Sequence, residues 1–444
     1  MSRVAMRYLL PAWLTILLAL ALPAPAASRV YIDINSPTGR SLPLAIQEFK
    51  VVGGDPSTAY LGGEVRDVLV SDLNFSGLFE LIDRDAYIED INETGLTAAA
   101  TDFREWRIIG TQLLIKGGMS FKEEKVTIDL RLFDVVREKV LVGKRYIGTT
   151  ENVRDVAHRF ADKVIERLTG ERGIFSTKLL FAADGSGSKE IYIARFNGDN
   201  IQQISRNSSI NLSPQWSPDG SRMIYTSYKD GQPYIYLRDL SSGFEWRLLD
   251  KPGINISGRW SPDGTKVAAS LSIDGNPELY IVDIKTQRLT RVTRSYGIDV
   301  SPTWSPDGKR LAFVSDRAGN PHIYMIKSDG SGLRRMTYES TYNTSPAWSP
   351  RGDQIAFARL IEGSFYIFLI RPDGRGVTRL TSSGDSDTPS WSPDGRYIVY
   401  SSLPEGGEDG KRVIYIMRSD GTQNRRVISG LGNSSAPSWS PYLR

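Results

Sequence analysis

The side chains able to do chemistry are few and poorly grouped. Histidine occurs only at His158 and His322, and cysteine is absent. Two imidazoles far apart in dissimilar segments make neither a metal site nor a triad. His158 lies on a helical pattern and His322 beside apolar residues, so both read as structural. Without cysteine, disulfides, thiolate catalysis and thiolate-held metals are excluded. So is a lipid anchored through a thiol. There is no G-x-S-x-G, and Gly53-Gly54 and Gly62-Gly63 belong to no phosphate loop. Asp184 and Glu190 flank a Gly/Ser loop but lack calcium-loop spacing. These absences point away from an enzyme and from a cofactor.

A different set of polar residues recurs with regular spacing. Asn211, Asn255, Asp299 and Asn343 each stand five residues before a tryptophan, and Asp387 and Asn433 lie near the corresponding place in two further units. The tryptophans are Trp216, Trp260, Trp304, Trp348, Trp391 and Trp439, spaced 44, 44, 44, 43 and 48 residues apart. Aromatic markers at Tyr192, Tyr236, Tyr280, Tyr324, Phe368 and Tyr415 keep step. A period of 40–45 residues is that of a four-stranded propeller blade.

Each Trp is followed by Ser-Pro-Asp-Gly or a close variant, a tight-turn sequence. Pro presets φ, Asp tolerates the bridge region and Gly accepts positive φ. Arg351-Gly352 keeps the Gly where Asp is lost, and residues 403–410 carry an insertion at a loop. Asp219 and Asp263 belong to separate turns on separate units and form no carboxylate pair. The Trp is expected between neighbouring blades. Lys178 to Ala182 matches Arg222 to Thr226 without an opening strand before it, whereas Ala436 to Pro441 is an opening strand with nothing after it. The expectation is an all-β six-bladed propeller closed by pairing the C-terminal strand with the first blade. Deleting the last ten residues should then unfold the ring.

The mouth of such a ring is a docking site for a partner. The polar markers read either as Asx caps of their own loops or as donors and acceptors around the channel. Near them Ile254, Ser257, Val300, Tyr342, Thr344, Asp385 and Thr388 vary from unit to unit, as suits a partner without symmetry. On this reading Asn255→Ala with Val300→Asp weakens binding and leaves the melting temperature unchanged.

Residues 28–172 lack the repeat and read as an α/β domain. It has strands at 30–34, 42–49, 106–116, 125–134 and 140–147, with helices over 57–75 and 151–168. Residues 1–26 read as a signal peptide: Arg3 and Arg7, an apolar run from Leu9 to Leu22, and Ala24-Pro25-Ala26, with cleavage after Ala26 or Ala27. The domains are thus 1–26, 27–172 and 173–444. Net charge is +4 over the whole chain, too small to argue for nucleic acid or an anionic surface. No later apolar run approaches the length of a membrane span, and the expected location is the periplasm.

Taken together, the signal, the α/β segment, the Trp-Ser-Pro-Asp-Gly units and the closing Trp439-Ser440-Pro441-Tyr442-Leu443 resemble the TolB family of the Tol-Pal system along the whole chain. The resemblance implies a monomeric, non-enzymatic adaptor that binds the lipoprotein Pal at the propeller and the inner-membrane protein TolA through the N-terminal segment. It also implies roles in outer-membrane integrity and in drawing that membrane inward at division, with colicins and phage proteins as further partners. By position the family's Pal-facing loops fall on Asn211, Ile254, Asn255, Ser257, Asp299, Val300, Asn343, Thr344, Asp387, Thr388 and Asn433. The TolA strand falls on Ser28, Arg29, Val30, Tyr31, Ile32, Asp33, Ile34 and Asn35. The alternative is a periplasmic sugar- or metal-binding propeller, with a cation at the channel mouth left open.

Overall fold

The structure, a computed structural model, describes residues 41–53, 58, 60–90, 95–122, 125–404 and 410–443. The expected signal peptide and the strand at 28–35 lie outside them. Six four-stranded antiparallel sheets follow one another around a ring. Their inner strands are Ser434–Trp439, Asn211–Trp216, Asn255–Trp260, Asp299–Trp304, Asn343–Trp348 and Asp385–Trp391, for the first to sixth blades in order. These six strands neighbour one another around the central channel.

Closure is made as the sequence implies. The first blade takes its inner strand from the C-terminal end and its other three from Lys178–Ala183, Glu190–Arg195 and Gln202–Gln203. Ser434 pairs with Ala183 and Trp439 with Leu179. Ser440 N donates to Lys178 O at 2.9 Å. The strand Lys178–Ala183 is thereby covered by an inner strand as its counterparts are in the other five blades, which limits open sheet edges.

The tryptophans sit between blades. Trp304 Nε1 donates to Arg259 O at 3.1 Å and Trp391 Nε1 to Ala347 O at 2.9 Å, each reaching the preceding inner strand. Trp216 Nε1 reaches Ser438 O at 3.2 Å across the closure. Each of these rings also packs on aliphatic side chains of the blade before it, as Trp304 does on Ala268, Leu279 and Ile281. The turn after each Trp is built by its serine. Ser217 Oγ donates to Asp219 Oδ1 and accepts from Arg222 N at 2.9 Å, and Gly220 takes φ +72°. Where Arg351 replaces the aspartate, Ser349 Oγ turns instead to Asp353 Oδ1 at 3.0 Å, so the turn survives the substitution.

The α/β segment is one mixed sheet. Its order is Phe79–Leu81, Leu42–Ile46, Leu113–Lys122, Lys125–Asp134, Lys139–Gly148, and Lys50–Val52 also pairs with the third of these strands. Two helices pack together against it: α1 (Leu61–Ser76), burying Leu61, Val65, Leu69 and Leu73, and α3 (Val153–Thr169), burying Val156, Phe160, Val164 and Leu168. Gly77 and Gly170 end them at φ +67° and +79°, a left-handed step that glycine takes without a Cβ clash. The strand expected at 106–116 is corrected. Residues Phe103–Ile108 form a short helix, α2, capped by Asp102 accepting from Arg104 N, and the strand begins at Leu113.

Candidate partner-binding faces of the propeller

The α/β domain covers one face of the ring. Phe75 at the end of α1 stacks on Tyr397 at 4.9 Å and meets Phe196 edge-on at 5.5 Å. Arg425 lies 4.3 Å over the Phe75 ring. Arg396 and Arg351, from the turns after Trp391 and Trp348, both reach Glu171. All these propeller groups lie on or beside the side that carries the Ser-Pro-Asp-Gly turns. The apolar core is continuous across the junction, running from Leu69 and Phe160 to Phe181, Ile416 and Trp439.

The opposite face carries the loops that enter the inner strands, and the α/β domain makes none of these contacts there. Asn211, Asn255, Asp299 and Asn343 are each 0% exposed. The side chains of Asn211, Asn255 and Asn343 hold their own loops. Asn255 Nδ2 donates to Lys251 O at 2.7 Å and Gly253 O at 3.1 Å, while Oδ1 accepts from Lys251 N. Asn211 ties Lys189 O and Glu190. Asp299 accepts from Arg317 at 2.7 Å. Asn343 accepts from Arg359 and lies 3.2 Å from His322 Nδ1. The reading of these four as free donors and acceptors at the mouth is therefore corrected for Asn211, Asn255 and Asn343, which are caps that shape their loops from within, whereas Asp299 is buried, is held by Arg317 and leaves its Oδ1 without a partner among the described residues. Asn255→Ala consequently removes three hydrogen bonds by which a buried side chain holds an exposed loop, which argues against its sparing stability.

The marker position also differs from expectation in two units. Counting back five from Trp391 and Trp439 gives Ser386 and Ser434, and both are buried. Asp387 and Asn433 sit one residue to either side of them. Asp387 is half-buried on the inner strand, where burial raises its pKa against the opposing pull of Ser345 and Thr388 N. Asn433 is tied to Asp184 by its N at 2.7 Å and its Nδ2 at 3.1 Å. Glu190 likewise accepts from Asn207 N, Ser208 N and Asn211. The oxygens of Asp184 and Glu190 thus serve loop closure. Across the ring from the strand of Asp387, Arg259 donates to Gly258 O at 3.1 Å, and burial pushes its guanidinium down to about 10.

Ser257, Thr388 and their equivalents Ser213, Ser301, Ser345 and Ala436 all have φ between +49° and +59°. Each lies in a bulge where the inner strand slips register against its neighbour. Left-handed backbone costs a residue bearing a Cβ about 1 kcal/mol, and bulges of this kind re-aim strands at rims. Val300 and Thr344, one residue after a cap, are half-buried.

What is exposed on this face is the residue just before each cap. Ile210, Ile254, Ile298 and Tyr342 are 51%, 38%, 46% and 40% exposed. Tyr296 and Tyr338, in the loops beside them, are more exposed still. Four consecutive blades therefore present an apolar crescent, and the first and sixth complete the circle with Asn433 and Asp385. Asp385 is held by Arg412 and by Phe365 N at 2.8 Å. The sequence reading named Ile254 and Tyr342 but missed Ile210, Ile298, Tyr296 and Tyr338. The spacing of 44 residues from Ile210 through Ile254 and Ile298 to Tyr342 was there to find them.

No helix among the described residues is long and apolar enough to cross a membrane. The profile of the TolB beta propeller domain matches residues 165–443, and that of the TolB amino-terminal domain matches residues 30–141. Neither describes a catalytic family. The chain is 40% identical over 229 residues to a Tol-Pal system protein TolB of Desulfosudis oleivorans, covering 51% of this chain and 52% of the relative. It is 42% identical over 212 residues to the protein of that name from Syntrophotalea carbinolica, covering 48% and 49%. The chain thus spans about half the length of the curated relatives it matches. Over a longer reach it overlays the crystal structure of TolB from Acinetobacter baumannii with a TM-score of 0.78 and 25% identity, covering 91% of this chain and 97% of that one. With both parts matched in order and the six-bladed ring shared, the chain belongs to the TolB family of the Tol-Pal system.

Proposed function

We propose that the chain is a periplasmic adaptor, gripping the outer-membrane lipoprotein Pal at the open propeller mouth and inner-membrane TolA through residues 28–35. The observation that carries this reading is the asymmetry of the two faces. One is covered by the α/β domain, while the other carries a preformed apolar crescent. A large exposed ring such as Tyr296 buries about 150–250 Å² on docking, a gross gain of about 4–6 kcal/mol. Tyrosines of this kind are frequent anchors of interfaces. The buried caps fix the loops before the partner arrives, which lowers the ordering cost of binding. Asp387, Ser257, Val300, Thr344 and Thr388 line the deeper part of the same site, and Asn433 stands on its rim.

Residues 1–26 serve as the cleaved signal, and 27–172 and 173–444 as the two working domains. The alternating segment 28–35 suits addition to a partner's sheet, where backbone hydrogen bonds supply the affinity. Docked in one state and free in another, it couples the two sites by shifting a population. In this role the chain links the two membranes for envelope integrity and for inward movement at division, and colicins and phage proteins exploit the same surfaces. The sugar- or metal-binding alternative has less support, because Asp184 and Glu190 are engaged with loop donors.

Calorimetry with soluble Pal and with the periplasmic part of TolA tests the assignment. Deleting residues 28–35 should abolish TolA binding and leave Pal binding intact. A deletion variant that binds TolA with the parent's affinity overturns the assignment of that segment.

A further inference from the structure

A second site lies between the two domains, away from the open mouth. A cleft of about 560 Å³ runs between α3, the strand Lys139–Gly148 and the first propeller strand. Six basic side chains and three carboxylates line it. The carboxylates are already engaged. Asp155 pairs with Arg195 at 2.7 Å and Glu166 with Lys163 at 2.6 Å. Asp162 is buried and accepts from Phe175 N at 2.7 Å and Ser176 N at 3.1 Å, and burial raises its pKa.

Four cations remain: Lys144, Arg159, Arg172 and Lys178. Among the described residues none of them has a carboxylate within ion-pair distance. Arg159 meets only the carbonyl of Asp155, and Arg172 the carbonyl of Leu443 and the ring of Tyr442. His158 also lines the cleft. It is 1% exposed, its Nδ1 is held by Asp72 at 2.6 Å, and its Nε2 has no partner. Cations without an ion-pair partner converging on a recess make a potential well for negative charge. The volume falls within the range of small-molecule sites.

We propose that this cleft binds a small organic anion carrying two or three carboxylate or phosphate groups. Lys144 and Arg159 come from the α/β domain, Lys178 from the propeller, and Arg172 from the joint between them. A bound polyanion therefore staples the two domains together. It stabilises the native state by mass action, because the assembled cleft exists only there. This site neither depends on the Pal and TolA assignments nor shares residues with them.

The test uses the full chain with citrate and, separately, inorganic pyrophosphate, followed by calorimetry and thermal unfolding. Saturable one-to-one binding, a rise of several degrees in melting temperature and weakening with added salt are expected for at least one of the two. Binding of citrate alone assigns the carboxylate class, and binding of pyrophosphate alone the phosphate class. The double variant Lys144→Ala, Lys178→Ala should bind about tenfold more weakly or worse, with its unliganded melting temperature unchanged, since both lysines are exposed. The single variant Lys178→Glu should do the same. Absence of saturable binding by both probes, or equal affinity in parent and variants, overturns the proposal.

Discussion

Replacing Trp439 by Ala probes how the ring is held shut. The side chain is almost fully buried, its Nε1 donates to Thr177 Oγ1 at 2.8 Å, and its ring lies 6.4 Å from that of Tyr397. Truncating a buried Trp to Ala costs about 3–5 kcal/mol through lost transfer energy and a residual cavity. The lost hydrogen bond adds about 1 kcal/mol. Total stabilities of domains are about 5–15 kcal/mol, so the loss is a large share. At about 2–4 °C per kcal/mol, the melting temperature should fall by about 8–24 °C. The control is Trp304→Ala, the same residue in a blade that is continuous in sequence. If the terminal strand is a full member of the ring, the two variants lose similar stability in thermal unfolding followed by circular dichroism. A Trp439→Ala protein melting within about 2 °C of the parent, beside a Trp304→Ala protein that falls by the expected amount, would refute the idea that the C-terminal strand locks the circle.

Asn255→Ala should lower stability by about 1–2 kcal/mol, read from urea midpoints, because the three hydrogen bonds by which it holds its loop are lost. An unchanged midpoint contradicts its role as a cap. Burial raises the Asp72 carboxyl to about 6 despite the pull of His158. A raised folded-state pKa gives stability that is complete below the unfolded value near 4 and is lost as pH rises through about 6. Between pH 4 and pH 7 the parent should therefore lose up to about 3 kcal/mol relative to Asp72→Asn. Parallel pH profiles for the two proteins would show that this carboxyl is not the source. Ala436→Gly removes a Cβ from a left-handed position and should raise stability by up to about 1 kcal/mol, whereas a lower melting temperature would mean that the bulge carries no strain.

The ring was legible because its signals are local and repeated. A tryptophan, a serine-led turn and an aromatic marker recur in every complete blade. The match of Lys178 to Ala182 with Arg222 to Thr226 also showed which strand was missing. Direction was harder to read. An Asn just inside a strand has the same spelling whether it faces its own loop or a partner, and here the loop carbonyls of Lys251 and Gly253 decide. The marker slipped to Asp387 and Asn433 because a polar residue was sought where the conformation needed only a small hydroxyl, as Ser386 and Ser434 supply. An isoleucine before a strand has the same spelling in the core and at a loop tip, and Ile210 and Ile298 stand at loop tips. Their exposure comes from the ring geometry that lifts the loop tips. The strand expected around Trp106 failed for another reason. Its apolar run fits either period, and the Asp102 cap tips it to helix.

Pal binding to a variant of the open face tests the central claim most directly. Ile254→Asp with Ile298→Asp places two charges in the apolar crescent at exposed positions, where the fold has little to lose. The account predicts that calorimetry shows Pal affinity reduced at least about 100-fold, roughly 3 kcal/mol, with the melting temperature unchanged. Full affinity in that double variant would contradict the assignment of the open propeller mouth as the place where the partner docks.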